Sequence, residues 1–311
     1  MPTSSSTSAA SPPKPRASAP KGPATASKIR ISYQGEPGAN SHLACNEAFP
    51  GCEPVACATF EDALAAVKSD DARYGMIPIE NSVAGRVADI HHLLPDAGLY
   101  IVGEYFLRVH HQLMALPAAS LATVKQALSH VQALGQCRNT LRKLGLKPVP
   151  EADTAGSARL VSETKDTSLS AIASSLAAEI YGLKILMHDI EDEKHNTTRF
   201  VVLSAQQDDA RPADGPFVTT FIFRVKNQPA ALYKAMGGFA TNGINMTKLE
   251  SYQVDGAFVA TMFYADIDGH PTDPAVHRAL EELKYFSATV QILGTYKASP
   301  YRAQIAASYR G

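Results

Sequence analysis

The chain has 311 residues, of which 45% are hydrophobic and 19% are charged, an ordinary composition for a soluble globular protein. A chain of this length favours about two domains. Its formal net charge is −1, so the charge balance gives no reason to expect nucleic acid or an anionic membrane surface as a partner. No stretch approaches the run of about 18 uncharged apolar residues that a membrane-spanning helix needs.

The first 28 residues differ in composition from the rest of the chain. They are rich in Ser, Ala, Pro and Thr, contain four basic residues and no acidic one, and lack the apolar segment of a secretory signal. Because their proline density opposes an amphipathic helix, we predict a disordered tail. An organelle transit peptide, which shares the acid-poor and Ser-rich composition, is the alternative.

The chain has four cysteines, none in a CxxC pair and none near histidines at zinc-binding spacing: Cys45, Cys52, Cys57 and Cys137. We predict free thiols in a reducing cytosol, and hence a cytoplasmic protein, with a Cys52–Cys57 disulfide as the alternative. The adjacent pairs His91–His92 and His110–His111 suggest metal binding, but neighbouring side chains point to different sides of a strand or helix. We therefore predict no metal and no cofactor.

Strand and helix patterns alternate from Lys28 onward. The stretch "KIRISYQG" predicts a short strand, and Thr59 followed by Asp62 is a capping box that opens a helix. A strand is predicted at "RYGMIPIE", and one or two long strands at "LYIVGEYFLRVHHQLMAL". A second capping box at Thr123 and Gln126 predicts a helix through "VKQALSHV".

Two further helices follow from apolar spacing. One has Leu134, Cys137, Leu141 and Leu144 on its buried face and ends at Gly145; the other has Ile172, Leu176, Ile180 and Leu183. Strands are predicted at "LKILMHDI" and "RFVVLS". The alternation predicts an α/β class with mainly parallel sheets, and functional groups at strand carboxyl ends and helix N-termini.

The polar, turn-rich residues 205–216 predict a linker, and residues 217–297 after it form a separate compact pattern. This pattern is a strand, a helix over "PAALYKAMGGFATNG", two strands meeting at Asp255-Gly256, a helix and a last strand. The order βαββαβ is a ferredoxin-like layout with helices on one face of its sheet. Its free edge strands make self-pairing plausible.

Six stretches in order resemble the sequence blocks of one family, the prephenate dehydratases: "YQGEPGANSHLA", "IPIENSVAGRV", "LSHVQALGQC", "DTAGSA", "AAEIYGL" and "NTTRF". The βαββαβ unit resembles that family's ACT regulatory domain. The resemblance covers about residues 29–297. It implies two α/β lobes like those of a periplasmic binding protein, with the active site between them, and catalysis of a single reaction, because no chorismate mutase domain precedes the blocks.

The resemblance also implies the domain boundaries. The catalytic domain is expected over 29–204, with 29–107 and 186–204 in one lobe and 108–185 in the other. The remaining segments are expected to be a tail at 1–28, a linker at 205–216, the ACT domain at 217–297 and a C-terminal tail at 298–311.

By the same resemblance, prephenate is the expected substrate. It loses CO2 and its ring hydroxyl to give phenylpyruvate, and the ring becomes aromatic, so a strong base or a metal is unnecessary. The site needs a hydrogen-bond donor to the departing hydroxyl, a role for which a threonine hydroxyl suffices. Thr198 matches the family's catalytic threonine, and Asn81, Ser129 and Gln136 match positions lining its site. Further substrate-binding candidates are Glu80, Ser82, Asn196 and Arg199.

Structural roles are the alternatives for several of these residues. Ser129 can bond helix backbone, Asn81-Ser82 can cap a helix, and Arg199 can pair with the acids of "DIEDE". If Arg199 binds substrate, we expect it at the pyruvyl carboxylate, because clamping the ring carboxylate would stabilise the ground state. In a strand, however, Thr198 and Arg199 point to opposite faces and need not serve the same ligand.

The ACT resemblance implies phenylalanine as feedback ligand and a homodimer or homotetramer formed through these domains. Two elements, "PAAL" and "ESYQ", depart from the family patterns, which have glycine after the proline and "ESRP". Alanine at position 230 restricts the positive φ that such a turn uses. Dimerisation alone is the alternative role. The expected phenylalanine-binding residues are Ala230, Ala231, Leu232, Asn245, Glu250 and Ser251.

Two alternative functions stay open at the level of sequence. One is a dehydratase of arogenate, the aminated relative of prephenate, which the transit-like tail favours slightly because plastid enzymes use it. The other is a non-catalytic amino-acid-binding regulatory protein, which predicts an export signal or a DNA-binding segment.

Overall fold

The computed structural model describes residues 28–208, 212–253 and 260–308. The hairpin predicted at Asp255-Gly256 and nearly all of the N-terminal tail lie outside these residues. Within them, the strands form three sheets and all four cysteines are free, so the alternative Cys52–Cys57 disulfide is absent. No helix in this part of the chain is long and apolar enough to cross a bilayer.

The first part of the chain alternates strands and helices as predicted. Thr59 caps the second helix by accepting the backbone N–H of Asp62 at 3.1 Å, which confirms the first capping box. The elements are β1 (Arg30–Gln34), α1 (Asn40–Ala48), β2 (Glu53–Cys57), α2 (Phe60–Lys68), β3 (Tyr74–Asn81), β4 (Gly85–Arg86), α3 (Ala88–Leu93) and β5 (Tyr100–Arg108).

The middle part forms a second sheet, in the order β10-β6-β9-β7-β8. Its elements are β6 (Gln112–Ala115), β7 (Gln126–His130), α4 (Val131–Gln136), α5 (Arg138–Leu144), β8 (Lys147–Glu151), α6 (Thr154–Thr164), β9 (Leu169–Ala173), α7 (Ser175–Ile180) and β10 (Lys184–Met187). The helix predicted to end at Gly145 is two short helices, and Gly145 ends the second at φ 66°.

Two helix predictions in this region are wrong. The stretch "VKQALSHV" contributes strand β7, in which Ala127, Leu128 and Ser129 are buried in succession, as a central strand requires. Thr123 instead closes a local turn with Ser120. Ile172 belongs to β9, and the helix after it begins at the Ser174 cap and ends at Ile180, so only Leu176 and Ile180 are helical as predicted and Leu183 lies beyond the helix.

The chain then returns to the first sheet with β11 (Thr197–Ser204), which lies between β3 and β5. The order of that sheet is β2-β1-β3-β11-β5, with β4 paired to β3. Two segments, before β6 and after β10, therefore connect the two lobes. Both sheets mix parallel and antiparallel pairs, so the prediction of mainly parallel sheets is wrong: β11 runs antiparallel to both of its neighbours.

The C-terminal unit has the predicted βαββαβ order. Its elements are β12 (Phe217–Val225), α8 (Ala231–Thr241), β13 (Met246–Gln253), β14 (Ala260–Asp268), α9 (Pro274–Phe286) and β15 (Ser287–Lys297), in an antiparallel sheet of order β13-β14-β12-β15. One more helix, α10 (Pro300–Ser308), occupies the segment that the sequence analysis assigns to a tail.

The C-terminal sheet has two buried faces. One face packs on α8 and α9 through residues such as Phe221 and Phe239. The other shares a single apolar core with the first lobe, where Ile222 and Tyr264 join Ile77. Strand β15 crosses β5 so closely that a Cβ on Gly294 would overlap the backbone of Ile101, so only glycine fits there. The C-terminal unit is thus packed directly behind the sheet that carries β11.

Candidate active site

Polar side chains from both lobes meet in a cleft between them, around a cavity of about 260 Å³. The first sheet contributes the end of β3 and the start of β11, and the second lobe contributes α4 up to its last residue, Gln136, and the start of α6. Among the residues described as lining the cavity, none is a lysine or an arginine. The residues that matter below are Asn81, His111, Gln136, Asp153, Asn196 and Thr198.

Asn81 at the end of β3 has a fixed orientation. Its Oδ1 accepts the backbone N–H groups of Val83 at 3.0 Å and Ala84 at 2.8 Å. Because those groups only donate, the other side of the amide must be Nδ2, which donates to Asn196 Oδ1 at 2.7 Å and Thr198 Oγ1 at 2.9 Å. The turn after β3 therefore decides which hydrogen bonds Asn81 makes in the cleft.

The same chain of hydrogen bonds continues into the second lobe. Asn196 Nδ2 donates to Gln136 Oε1 at 2.7 Å, and His111 Nε2 lies 2.8 Å from the same oxygen. Since Gln136 Oε1 is an acceptor, His111 must carry its proton on Nε2. Burial lowers the pKa of His111, although its bond to Gln136 opposes this, so the ring is neutral near pH 7.

Thr198 is the end of this chain of hydrogen bonds. Its Oγ1 accepts from Asn81, and among the described residues no acceptor takes its own proton. The hydroxyl is thus able to donate into the cleft. Thr197, one residue earlier, faces the other side of β11, where its hydroxyl lies 3.3 Å from that of Tyr301 on α10. The two threonines therefore have different surroundings, as strand alternation predicts.

Comparison with known proteins decides the family. A family model described as prephenate dehydratase matches residues 31–208, more than half of the 311 residues. The chain belongs to the prephenate dehydratase family. A Komagataeibacter europaeus relative named bifunctional N-acyl-homoserine lactone acylase/prephenate dehydratase is 51% identical over 272 residues, covering 88% of this chain and 97% of the relative. Arogenate dehydratase/prephenate dehydratase 6, chloroplastic, of Arabidopsis thaliana is 39% identical over 290 residues, covering 88% of this chain and 70% of the relative.

Solved structures agree with this membership. A structure described as GqqA, a novel type of quorum quenching acylase, has a TM-score of 0.83 at 50% identity and covers 88% of this chain and 99% of that one. Prephenate dehydratase from Arthrobacter aurescens in complex with L-Phe has a TM-score of 0.77 at 27% identity, covering 91% of this chain and 100% of that one. The predicted fold, two lobes of the periplasmic-binding-protein type followed by a ferredoxin-like unit, is confirmed.

Four of the residues matched to the family's site come together in the cleft: Asn81, Gln136, Asn196 and Thr198. Ser129 does not reach it. Its side chain is fully buried and donates to the carbonyl of Ile172 at 2.6 Å, so its role is structural, but the backbone that it bonds is strand β9 and not the helix of the alternative prediction. Ser82 holds the loop before β11, because its hydroxyl donates to the carbonyl of His195 at 2.8 Å and accepts the N–H of Thr197 at 2.9 Å.

Arg199 and Glu80 lie on the opposite face of the sheet, against the C-terminal unit, which corrects the expectation that they bind substrate. Arg199 is 3% exposed, and its guanidinium donates to Glu104, Glu80, Asp266 and Tyr296 at 2.9, 2.9, 2.5 and 2.9 Å. None of these acids belongs to "DIEDE", so that alternative pairing is also wrong. Strand alternation correctly predicted that Arg199 and Thr198 point to opposite faces of β11. The sequence did not predict the acidic partners of Arg199.

Two features of the cleft were missed by sequence reasoning. His111 was considered only as half of a metal-binding pair, and Asp153 was assigned only to a family block. Asp153 caps α6 by accepting the N–H of Gly156 at 2.6 Å, and its carboxylate also lines the cavity. Neither residue has a local sequence pattern that predicts its position in the cleft, because only the packing of the two lobes brings it there.

Three side chains at the connection between the lobes could hold a cation. Ligand atoms of His110, Asp189 and Glu191 lie within 4.8 Å of one another. His110 Nδ1 is 3.1 Å from Asp189 and 3.2 Å from Glu191, and Glu191 also accepts the backbone N–H of His111 at 2.9 Å. Pairing within the group and with the backbone already accounts for these contacts, so we assign no metal to it.

The lowered pKa of His111 predicts a pH dependence of stability. The unfolded chain binds a proton on this ring more readily than the folded protein does, so the stability that the neutral ring contributes is lost as the pH falls below the ordinary histidine pKa of about 6.5. Burial also lowers the pKa of His42 and His91, so the comparison must isolate one ring. Urea unfolding at several pH values should show a smaller acid loss in His111→Gln than in the wild type. An equal loss of unfolding free energy at acid pH in both proteins would contradict the assignment of this loss to His111.

Proposed function

We propose that the protein is a prephenate dehydratase in which Thr198 donates a hydrogen bond to the departing ring hydroxyl. The observation that carries this proposal is the orientation of Asn81. Its amide donates to Thr198 Oγ1, so the threonine proton is available to a ligand in the cleft. Family membership supports a dehydratase, and the hydrogen-bond geometry supports the choice of residue.

The reaction balances without any group beyond the substrate and a proton source. The bond to the ring carboxylate breaks and releases CO2, its electron pair moves into the ring, and the C–O bond at the opposite carbon breaks. The hydroxide leaves as water once it gains a proton, and the ring of phenylpyruvate is aromatic. Thr198 donates to that oxygen as negative charge develops, and Asn81 stabilises the charge left on Thr198. Such a donor typically contributes about 10²–10³-fold to the rate.

The lack of a lysine or arginine among the described lining residues of the cleft suits the decarboxylation. Charge leaves the ring carboxylate as CO2 forms, so a cation held against that carboxylate would oppose the step by stabilising the ground state. The polar groups that line the cavity are amides, hydroxyls, imidazoles and the Asp153 carboxylate, with no lysine or arginine among the described lining residues. We therefore expect neutral hydrogen-bond donors, and not Arg199, to bind the pyruvyl carboxylate.

One observation favours arogenate as a second candidate substrate. Arogenate carries an ammonium group where prephenate carries a keto group, and Asp153 places a carboxylate on the cavity wall. One of its oxygens already caps α6, which leaves the other for an ammonium group. The named relatives include dehydratases of both substrates.

Replacing each threonine by valine tests the role of Thr198, because valine keeps the shape and removes the hydroxyl. Thr198→Val should lower kcat by about 10²–10³-fold with little change in KM, since the donor acts on charge that develops only in the transition state. Thr197→Val is the matched control and should stay within about threefold, because Thr197 lies on the other face. The reverse order would mean that the wrong hydroxyl has been assigned.

The assay should offer prephenate, arogenate and an N-acyl-homoserine lactone separately to the purified protein. The lactone is included because the 51% identical relative is named as its acylase. In the cleft, Thr198 is bonded to an amide rather than to an imidazole base, which does not favour hydrolysis by a threonine nucleophile. Turnover of neither prephenate nor arogenate would remove the dehydratase proposal, and turnover of none of the three compounds would favour a non-catalytic binding protein.

We further propose that the C-terminal unit is an ACT domain that binds L-phenylalanine and joins copies of the chain into a homodimer or homotetramer. Support comes from its ferredoxin-like fold and from the relative solved with L-Phe. Ala230 has φ 60°, the left-handed conformation that glycine favours, so the turn keeps its shape despite the alanine. The proposed ligand site combines Ala230, Ala231, Leu232, Asn245, Glu250 and Ser251.

Free thiols support a cytoplasmic location.

Calorimetry tests the effector proposal without relying on activity. Titrating L-phenylalanine into the wild type should release or absorb heat and saturate, whereas D-phenylalanine, the mirror-image control, should bind far more weakly. Asn245→Ala should weaken the L-phenylalanine signal at least severalfold, because it removes a polar group of the proposed site. Absence of heat at millimolar L-phenylalanine would favour an ACT domain that serves dimerisation alone.

A further inference from the structure

The two strands that carry the cleft residues also carry an ion pair on their other face. In the pairing of β11 with β3, Thr198 lies opposite Asn81 and Arg199 lies opposite Glu80. Side chains alternate along a strand, so each cleft residue is followed or preceded by a charged residue pointing at the C-terminal unit. Any displacement of the Glu80–Arg199 pair therefore moves the backbone that holds Asn81 and Thr198.

The C-terminal unit holds that ion pair from two sides. Lys248 on β13 donates to Glu80 Oε2 at 2.6 Å, and Asp266 on β14 accepts from Arg199 Nη1 at 2.5 Å. The side chain of Lys248 is 8% exposed and that of Asp266 is fully buried. Burial alone would raise the pKa of Glu80, but Arg199 and Lys248 outweigh it and hold the pKa below its usual value. Glu80 is thus ionised and depends on both cations.

Lys248 has a second partner at the proposed effector site. Its Nζ lies 3.3 Å from Glu250 Oε1, a longer contact than the 2.6 Å bond to Glu80. The carbonyl of Ser251 accepts from Arg86 at 2.8 Å, and Arg86 lies opposite Glu80 in the pairing of β4 with β3. The strand proposed to bind the effector therefore contacts β3, the strand of Asn81, through Glu80, and contacts the neighbouring strand β4 through Arg86.

We propose that Lys248 is a positioning residue for Asn81 and Thr198, acting through Glu80 and Arg199, and that it transmits occupancy of the Glu250 side of β13 to the cleft. This inference rests on the proposed dehydratase function. An α-amino acid brings an ammonium group, which competes with Lys248 for the Glu250 carboxylate. Lys248 then pairs with Glu80 alone, and the electrostatic attraction between Lys248 and the Glu80–Arg199 pair changes.

The strands have a place where such a change is absorbed. The pairing of β11 with β3 shifts register between Arg199 and Phe200, where β3 carries one extra residue, Ile79, next to Glu80. A bulge interrupts the regular ladder of hydrogen bonds and allows the strand to bend there. A small movement of Glu80 thus alters the direction of Asn81, which donates to Thr198, without unfolding the sheet. Misplacement of a reacting group by about 1 Å can cost up to about 10²-fold in rate.

Lys248→Met tests the positioning role, because it keeps the aliphatic stem and removes the charge. We expect kcat to fall about tenfold with KM unchanged within about twofold, and Lys248→Arg to recover most of the loss. The matched control is Lys284→Met, which removes an exposed lysine paired with Glu281 at 2.7 Å in the same unit. A wild-type kcat in Lys248→Met, or an equal fall in Lys284→Met, would overturn the proposal.

A second readout needs no turnover and separates this proposal from the proposed function. The side-chain amide resonances of Asn81 report its bonds to Asn196 and Thr198. They should shift in Lys248→Met and stay in place in Lys284→Met. Unmoved resonances in Lys248→Met would sink the positioning role even if the wild type proves inactive, whereas an inactive wild type with shifted resonances refutes only the dehydratase.

L-phenylalanine is the probe for transmission. In the wild type it should change kcat, and in Lys248→Met it should still bind by calorimetry while changing kcat by less than about twofold. A full response of kcat in Lys248→Met would show that the signal does not pass through Lys248. If L-phenylalanine neither binds the wild type nor moves the Asn81 resonances, the transmission half of the proposal is refuted, and the positioning half is judged by the variants alone.

Discussion

Strand β11 enters the first sheet between β3 and β5 with Thr198 opposite Asn81 and Arg199 opposite Glu80. This register determines which side chains of β11 face the cleft and which face the C-terminal unit. A shift by one residue would exchange the two faces, burying the hydroxyl against the C-terminal sheet and turning a guanidinium into the cleft. Ser82 supports the register from the side, since it bonds the backbone on both sides of Asn196.

The register also keeps the side chains of Glu80 and Arg199 away from the cleft. The interface between the first lobe and the C-terminal unit holds an ion network whose members are largely buried: Glu80, Glu104, Arg199, Lys248, Asp266 and Arg302. Each acid has at least one cationic partner, which burial requires. The cleft, by contrast, has no lysine or arginine among its described lining residues, and its one lining carboxylate is that of Asp153. Removing one member of a buried pair is costly because the remaining charge stays unpaired, so this network favours a single relative placement of lobe and C-terminal unit.

Sequence reasoning reached the family, the two-lobed fold and four of the cleft residues, because short ordered blocks carry that information. It failed where structure depends on distant partners. "VKQALSHV" has a capping box but becomes a central strand, since neighbours on both sides bury it. Arg199 has no acidic neighbour in the sequence that pairs with it; its partners come from β3, β5 and β14. Helix α10 lacks an apolar stripe, and its position is set by Arg302, which binds Glu104 at 2.6 Å.

We propose that the face of β11 that carries Thr198 contacts the reacting substrate, whereas Arg199 binds acidic side chains at the interface with the C-terminal unit. A crystal structure with an unreactive prephenate analogue tests this most directly. The account predicts the ring hydroxyl at hydrogen-bond distance from Thr198 Oγ1, about 2.5–3.0 Å, with Arg199 still bonded to Glu80, Glu104 and Asp266. A carboxylate of the analogue bound to Arg199, or a hydroxyl remote from Thr198, would contradict it.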